Sequence, residues 1–115
     1  MKLRKCTYLD YYSNILNLLH TNSSSISKTQ FIEYLSKNNL YVLEDNNKIV
    51  AFASINYMTD IINNNSKYAF VDNILVENID YEKELSKEII TLCKQRDCYK
   101  ILVNKSDDFI EMSLI

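Results

Sequence analysis

The sequence predicts an α+β (α/β) domain: one mixed sheet with helices on both faces, in the order β-α-α-β-β-β-α-β-β. Three observations point to it. In LYVLEDNNKIVAFASI, two apolar strands flank Asp45-Asn46-Asn47-Lys48, and Asn tolerates the left-handed conformations of a tight turn. The stretch from Tyr68 to Val76 is apolar almost throughout, which marks a central strand. A helix-period segment then leads directly into CYKILVN, and strand, helix and strand on such short links make a right-handed unit with parallel strands. The 115 residues suffice for one core, so residues 1–115 read as a single domain.

The remaining elements follow from local chemistry. Residues 2 to 6 predict a short first strand. Tyr12, Ile15, Leu16 and Leu19 repeat at helical spacing and predict an amphipathic helix over 9–20. TNSSSIS is a loop ending at Ser27, where Gln30 three residues on completes a capping box for a second helix through Phe31, Ile32 and Leu35. TDIINNNSK reads as a polar connector. The helix over 80–95 carries Tyr81, Leu85, Ile89 and Leu92 along its apolar stripe. Asp80 is its expected N-cap, with Glu82 and Glu84 in the first turn, where each carboxylate gains about 0.3–1 kcal/mol from the helix dipole. DFIEMSLI closes the chain as an added edge strand.

Composition excludes several function classes. A net charge of -2, with Lys and Arg dispersed along the chain, argues against a nucleic-acid binder. Cys6, Cys93 and Cys98 form no C-x-x-C pair, which fits a reduced compartment and no zinc site. His20, the single histidine, reads as a helix C-terminal cap, so no metal site is expected. The polar N-terminus resembles no signal peptide and no apolar run is long enough to span a membrane, so the expectation is a cytoplasmic protein that binds no membrane. There is no Gly and no Pro, as expected of a low-GC genome such as that of a parasite or a large DNA virus. A chain without glycine cannot build a P-loop or a nucleophile elbow.

Several stretches resemble one family. YAFVDNILVEN is similar to the fourth strand of glucosamine 6-phosphate N-acetyltransferases, within the GNAT superfamily of acyl-CoA-dependent N-acetyltransferases. CYKILVNKSDD resembles that family's fifth strand, LYVLEDNNKIVAFASI its second and third, LRKCTYLDYYSNILNLL its opening strand and helix, and IEMSLI its last strand. The collinear order covers nearly the whole chain and implies a GNAT-like mixed sheet. By the resemblance, Asp72 falls on the family's catalytic-strand Glu and is the candidate base, with Asn73 on the neighbouring Asp. The backbone after Ile74, at Leu75 and Val76, would pair with the pantetheine arm of acetyl-CoA, and Lys83 and Ser86 would lie against its pyrophosphate.

The departures from the family pattern fall where the chemistry would be. In the pyrophosphate signature Q/R-x-x-G-x-G/A, Tyr81 replaces the leading Arg, Glu84 the first Gly and Ser86 the second. Side chains then obstruct the close backbone approach a phosphate needs. Two unit negative charges about 5 Å apart repel by about 1 kcal/mol in water and about 3 kcal/mol at an effective dielectric of 20, and a pyrophosphate would meet several such terms. The helix that carries the family's acid Tyr is missing between strands five and six. Phe109 is the only aromatic left there and has no acidic proton, while Tyr99 belongs to the strand-five match. Two readings follow. One is a GNAT-fold protein with lost or strongly weakened acetyl-CoA binding and catalysis, acting as a protein-binding or assembly module, with another protein or a second copy as partner and no cofactor. The alternative is an active acetyl-CoA-dependent N-acetyltransferase of an amino sugar phosphate or other small amine.

Overall fold

A computed structural model of the chain describes residues 1–12, 15, 18, 26–105 and 108–115. Strand β1 (Lys2–Lys5) is followed by a 3-10 helix (Tyr8–Tyr12), then α1 (Lys28–Lys37), β2 (Leu40–Asp45), β3 (Lys48–Asp60), β4 (Ser66–Val76), α2 (Asp80–Gln95), β5 (Lys100–Lys105) and β6 (Asp108–Ser113). The strands form one 6-stranded sheet in sequence order. All neighbours are antiparallel except β4 and β5, which are parallel because α2 crosses over between them. This is the mixed α+β sheet the sequence predicts.

The first helix differs from its prediction. Its described start is the 3-10 helix over Tyr8–Tyr12, and Ile15 and Leu18 are helical and buried. Leu16, Leu19 and His20, and the loop at 21–25, lie outside the described residues. The capping box of α1 is present in full: the Gln30 N–H donates to Ser27 Oγ at 3.1 Å and the Ser27 N–H to Gln30 Oε1 at 2.9 Å. On α1 Phe31 is buried and Leu35 half-buried, whereas Ile32 faces solvent.

The polar connector predicted at 59–67 narrows to a turn over 61–65, its two ends being strand. β3 runs on to Asp60 and β4 begins at Ser66, so the two make a long hairpin with a short turn. Asparagine does the work of glycine at both hairpin turns. Asn46 and Asn47 have φ of 52° and 64°, and Asn64 and Asn65 have 55° and 58°. At the end of α2, Asp97 adopts φ 59° and the Cys98 N–H reaches back to the Cys93 carbonyl at 3.0 Å, a helix stop that glycine usually provides.

The sheet separates two cores, one under each helix layer. Leu85, Ile89 and Cys93 of α2 pack on Tyr41, Leu43, Val50, Ala51, Ala53 and Ile55. Phe31, Ile15 and Leu18 pack on Leu40, Val42, Ile49 and Phe52 on the other face. Alternation along β2 and β3 assigns each residue its side, and a bulge between Leu43 and Glu44 lets Val50 and Ala51 share one face. Cys93 completes the α2 stripe, with Tyr81 and Leu92 only partly buried at its margins. Burial pushes the Cys93 thiol up to about 12, so it behaves as a small apolar side chain.

The N-terminal strand is tied down by charge. Asp10 is buried and accepts hydrogen bonds from Arg4 Nη1 and Nη2 at 2.9 and 2.8 Å and from the Thr7 N–H at 2.8 Å. Arg4 Nε also bonds Glu44 on β2. The Arg4 guanidinium holds the Asp10 carboxyl below the usual carboxylate range.

Candidate functional site

The sheet is interrupted at one height on both sides of β4. Toward β3 the pairing passes from Ser54↔Asp72 to Phe52↔Leu75, so Asn73 and Ile74 together oppose Ala53. Asn73 takes φ 50° to make this bulge. Toward β5 the parallel ladder runs from Tyr68↔Lys100 to Val71↔Val103 and stops, while β4 continues to Val76 and β5 to Lys105. The two strands splay from that point. A hollow lies on each face of the sheet here, and Ile74 lines both.

The hollow on the α1 side has a volume of about 320 Å³ and apolar walls that include Ile26, Phe31, Leu40 and Phe52, with Tyr34 and Asn73 as its polar lining. Asn73 Nδ2 donates to the Tyr34 hydroxyl oxygen at 2.7 Å, and the same hydroxyl hydrogen-bonds buried Ser54. Asp72 stands opposite Ser54 in the ladder. Its Oδ1 is buried without a hydrogen-bond partner among the described residues, and burial pushes the carboxyl up from its ordinary range. Tyr34 is the site residue that sequence reasoning missed. The available signal was its position three residues after Phe31 on the inward stripe of α1, which marks it out among the nine tyrosines.

The second hollow, about 180 Å³, lies in the splay beneath α2. Its walls are aliphatic, including Val71, Leu85, Ile89, Ile101 and Val103, and Glu82, Ser86 and Lys105 stand among its lining. Lys105 Nζ and Glu82 Oε1 are 2.6 Å apart, joining the first turn of α2 to the end of β5. Both side chains are partly exposed, so the pair contributes no more than about 1 kcal/mol.

The start of α2 corrects one expectation: Asp80 is not the N-cap. Ile79 holds that position with helical dihedrals (φ -63°, ψ -23°), leaving no extended residue whose side chain could fold back on the turn. Asn78 serves instead, its Oδ1 accepting the Asp80 N–H at 2.9 Å. The Tyr81 N–H bonds the Asn78 carbonyl at 3.2 Å and the Glu82 N–H the Ile79 carbonyl at 3.1 Å. The first N–H groups of the helix are therefore satisfied within the chain.

Of the other residues singled out from the sequence, Leu75 lines the α1-side hollow and Val76 packs into the α2-side core. Ser86 is exposed along the splay, whereas Lys83 is exposed and outside the lining of either hollow. Tyr99 donates its hydroxyl to Asp60 at 2.8 Å, and Phe109 packs on Phe70 with ring centroids 6.3 Å apart. Among the described residues no cluster of three or more His, Cys, Asp or Glu could hold a metal ion, and no helix is long and apolar enough to cross a membrane.

Replacing Glu82 and Glu84 together by Gly is expected to lower the thermal midpoint by several degrees. Each glycine costs up to about 1 kcal/mol in a helix, and Lys105 loses its partner. A melting curve checks this, and a raised midpoint would contradict a structural role for the two carboxylates.

No family model matches the sequence, and no curated protein matches it. Solved structures do match. Glucosamine-6-phosphate N-acetyltransferase from Arabidopsis thaliana is similar with a TM-score of 0.70 at 22% identity, covering 91% of this chain and 82% of that one. A GNAT family acetyltransferase from Staphylococcus aureus matches with a TM-score of 0.74 at 18% identity, over 95% and 90% of the two chains. Ribosomal-protein-alanine N-acetyltransferase from Brucella melitensis matches at 0.71 and 14%, over 91% and 80%. With its mixed sheet, bulged fourth strand and splay, the chain has the fold of the GNAT acetyltransferases.

Proposed function

We propose that this GNAT-fold chain is a binding or assembly module in which acetyl-CoA binding and catalysis are lost or strongly weakened. The observation that carries the proposal is the Glu82–Lys105 pair, 2.6 Å across the mouth of the splay. It sets a carboxylate where the fold's pyrophosphate would lie and engages Lys105, the one lysine among the described residues that line that hollow. Two further features support it. The leading N–H groups of α2 are already bonded within the chain, and Glu84 and Ser86 bring Cβ atoms to the signature's glycine positions. The residues present do not fit the nucleotide end of acetyl-CoA. The location that suits such a module is the cytoplasm.

The test is thiol release: the full chain incubated with acetyl-CoA and a panel of primary amines that includes glucosamine 6-phosphate. Release at the buffer rate is expected, and turnover above it would overturn the proposal. One observation favours the alternative, an active N-acetyltransferase. Asp72, with its unpartnered Oδ1 and raised carboxyl pKa, stands beside the bulge with Tyr34 close by, a base and a hydroxyl near one strand interruption.

The partner in the proposed assembly is a second copy of this chain. All of β6 is exposed, and Phe109, Ile110 and Met112 place apolar surface along a free strand edge. Size-exclusion chromatography with light scattering is expected to give twice the chain mass, falling to the monomer in Ile110→Lys. A wild-type monomer at high concentration would remove the homodimer.

A further inference from the structure

We propose that the splay between β4 and β5 is a docking slot for an extended polypeptide segment, which adds to the free edge of β4 as a strand and alternates aliphatic with basic side chains. It rests on the reading that the nucleotide seat is filled by the chain's own groups.

The backbone supplies the first half of the case. The parallel ladder ends at Val71↔Val103, and β4 continues for five residues, Asp72 to Val76, without a ladder partner on the β5 side. Backbone N–H and C=O groups beside an apolar hollow need hydrogen-bonding partners, and an extended chain of amides matches them in spacing and kind. A rigid apolar ligand would leave those groups unpaired.

The side chains on the two faces of the slot supply the second half. On the α2 side the hollow of about 180 Å³ is walled by Val71, Ile89, Ile101 and Val103, with no aromatic side chain among the described residues, a fit for Val or Ile of an incoming strand. On the α1 side, next along the same edge, stands Asp72, opposite Ser54, with a buried Oδ1 that no group in the described residues satisfies. In a strand laid against β4, side chains alternate between these faces, so the neighbour of an inserted aliphatic residue arrives beside Asp72. A lysine or arginine there faces the Asp72 carboxylate with the opposite charge. A glutamate there adds repulsion to a carboxylate already short of partners.

The probe is a capped peptide of sequence VKVKV, titrated into the full chain with amide hydrogen exchange and NMR shifts as readouts. Saturable binding is expected, with the backbone amides of residues 73–76 becoming protected. Replacing both lysines of the peptide by glutamate should weaken binding by about tenfold, and Asp72→Asn should erase that preference while retaining residual binding. N-methylation of alternate peptide amides should abolish binding. No protection at 73–76 with millimolar peptide, equal affinity for the glutamate version, or binding indifferent to N-methylation would each overturn the slot. Acetyl-CoA in the same experiment separates the two proposals. If it displaces the peptide, the filled-seat reading fails and the slot stands. If neither ligand binds, the slot fails and the filled-seat reading stands.

Discussion

Arg4→Ala is expected to lower the unfolding free energy by about 3 kcal/mol and to weaken the loss of stability in acid. Asp10 is buried, and Arg4 is its cationic partner, holding both carboxylate oxygens. Removing one member of such a pair leaves an uncompensated buried charge, whose cost exceeds the net worth of the pair. In the native chain the Asp10 carboxyl sits below its usual range, so its contribution is present above the unfolded-state value near 4 and is lost as pH falls through the lowered folded value. Without Arg4 the largest lowering influence is gone, and burial works against the Thr7 N–H bond that remains, so the folded value moves back up toward the unfolded one. The folded and unfolded forms of the variant then differ less in proton binding, and its stability falls less steeply than that of the native chain as pH drops through about 4. Urea unfolding at several pH values checks both points. An unchanged slope would show that Arg4 does not set the Asp10 ionisation.

Ile55→Ala should cost about 2–5 kcal/mol, with the urea midpoint shifted and the denaturant slope unchanged. Ile55 has no exposed surface and lies on the α2 face of β3, in the core that holds Leu85, Ile89 and Cys93. The antiparallel ladders on both sides of β3 hold its backbone, so little can collapse into the vacated volume. The loss should therefore be well above that of the same change at Ile61 on the β3–β4 turn, where the side chain is 82% exposed. Equal losses at the two positions would contradict the assignment of the core.

The parts of the fold legible in the sequence are those governed by local patterns. The capping box at Ser27 and Gln30, the Asn46-Asn47 turn and the helical stripe of Leu85 and Ile89 are written in neighbouring residues, and each appears where those residues place it. The candidate site was less legible because it depends on register. Nothing in YAFVDNILV marks Asn73 as the residue that leaves the ladder, since a bulge reflects how β3 and β4 fit together, not what β4 contains. Asp72 was named through the resemblance of YAFVDNILVEN to the family's fourth strand, but the missing partner of its Oδ1 is a property of the folded surroundings. The acidic character of the α2 start was read correctly from Glu82 and Glu84, whereas Lys105 lies 23 residues from Glu82 and no local rule pairs them. Asp80 is not the cap because the chain enters the helix one residue earlier than side-chain preference suggests, at Ile79, with Asn78 Oδ1 taking the Asp80 N–H.

The most direct test of the filled pyrophosphate seat is a calorimetric titration of the full chain with acetyl-CoA. Binding heat should stay absent up to millimolar ligand. A saturable isotherm in the micromolar range would contradict it, because on the proposed reading Glu82 and Lys105 take up the place of the pyrophosphate.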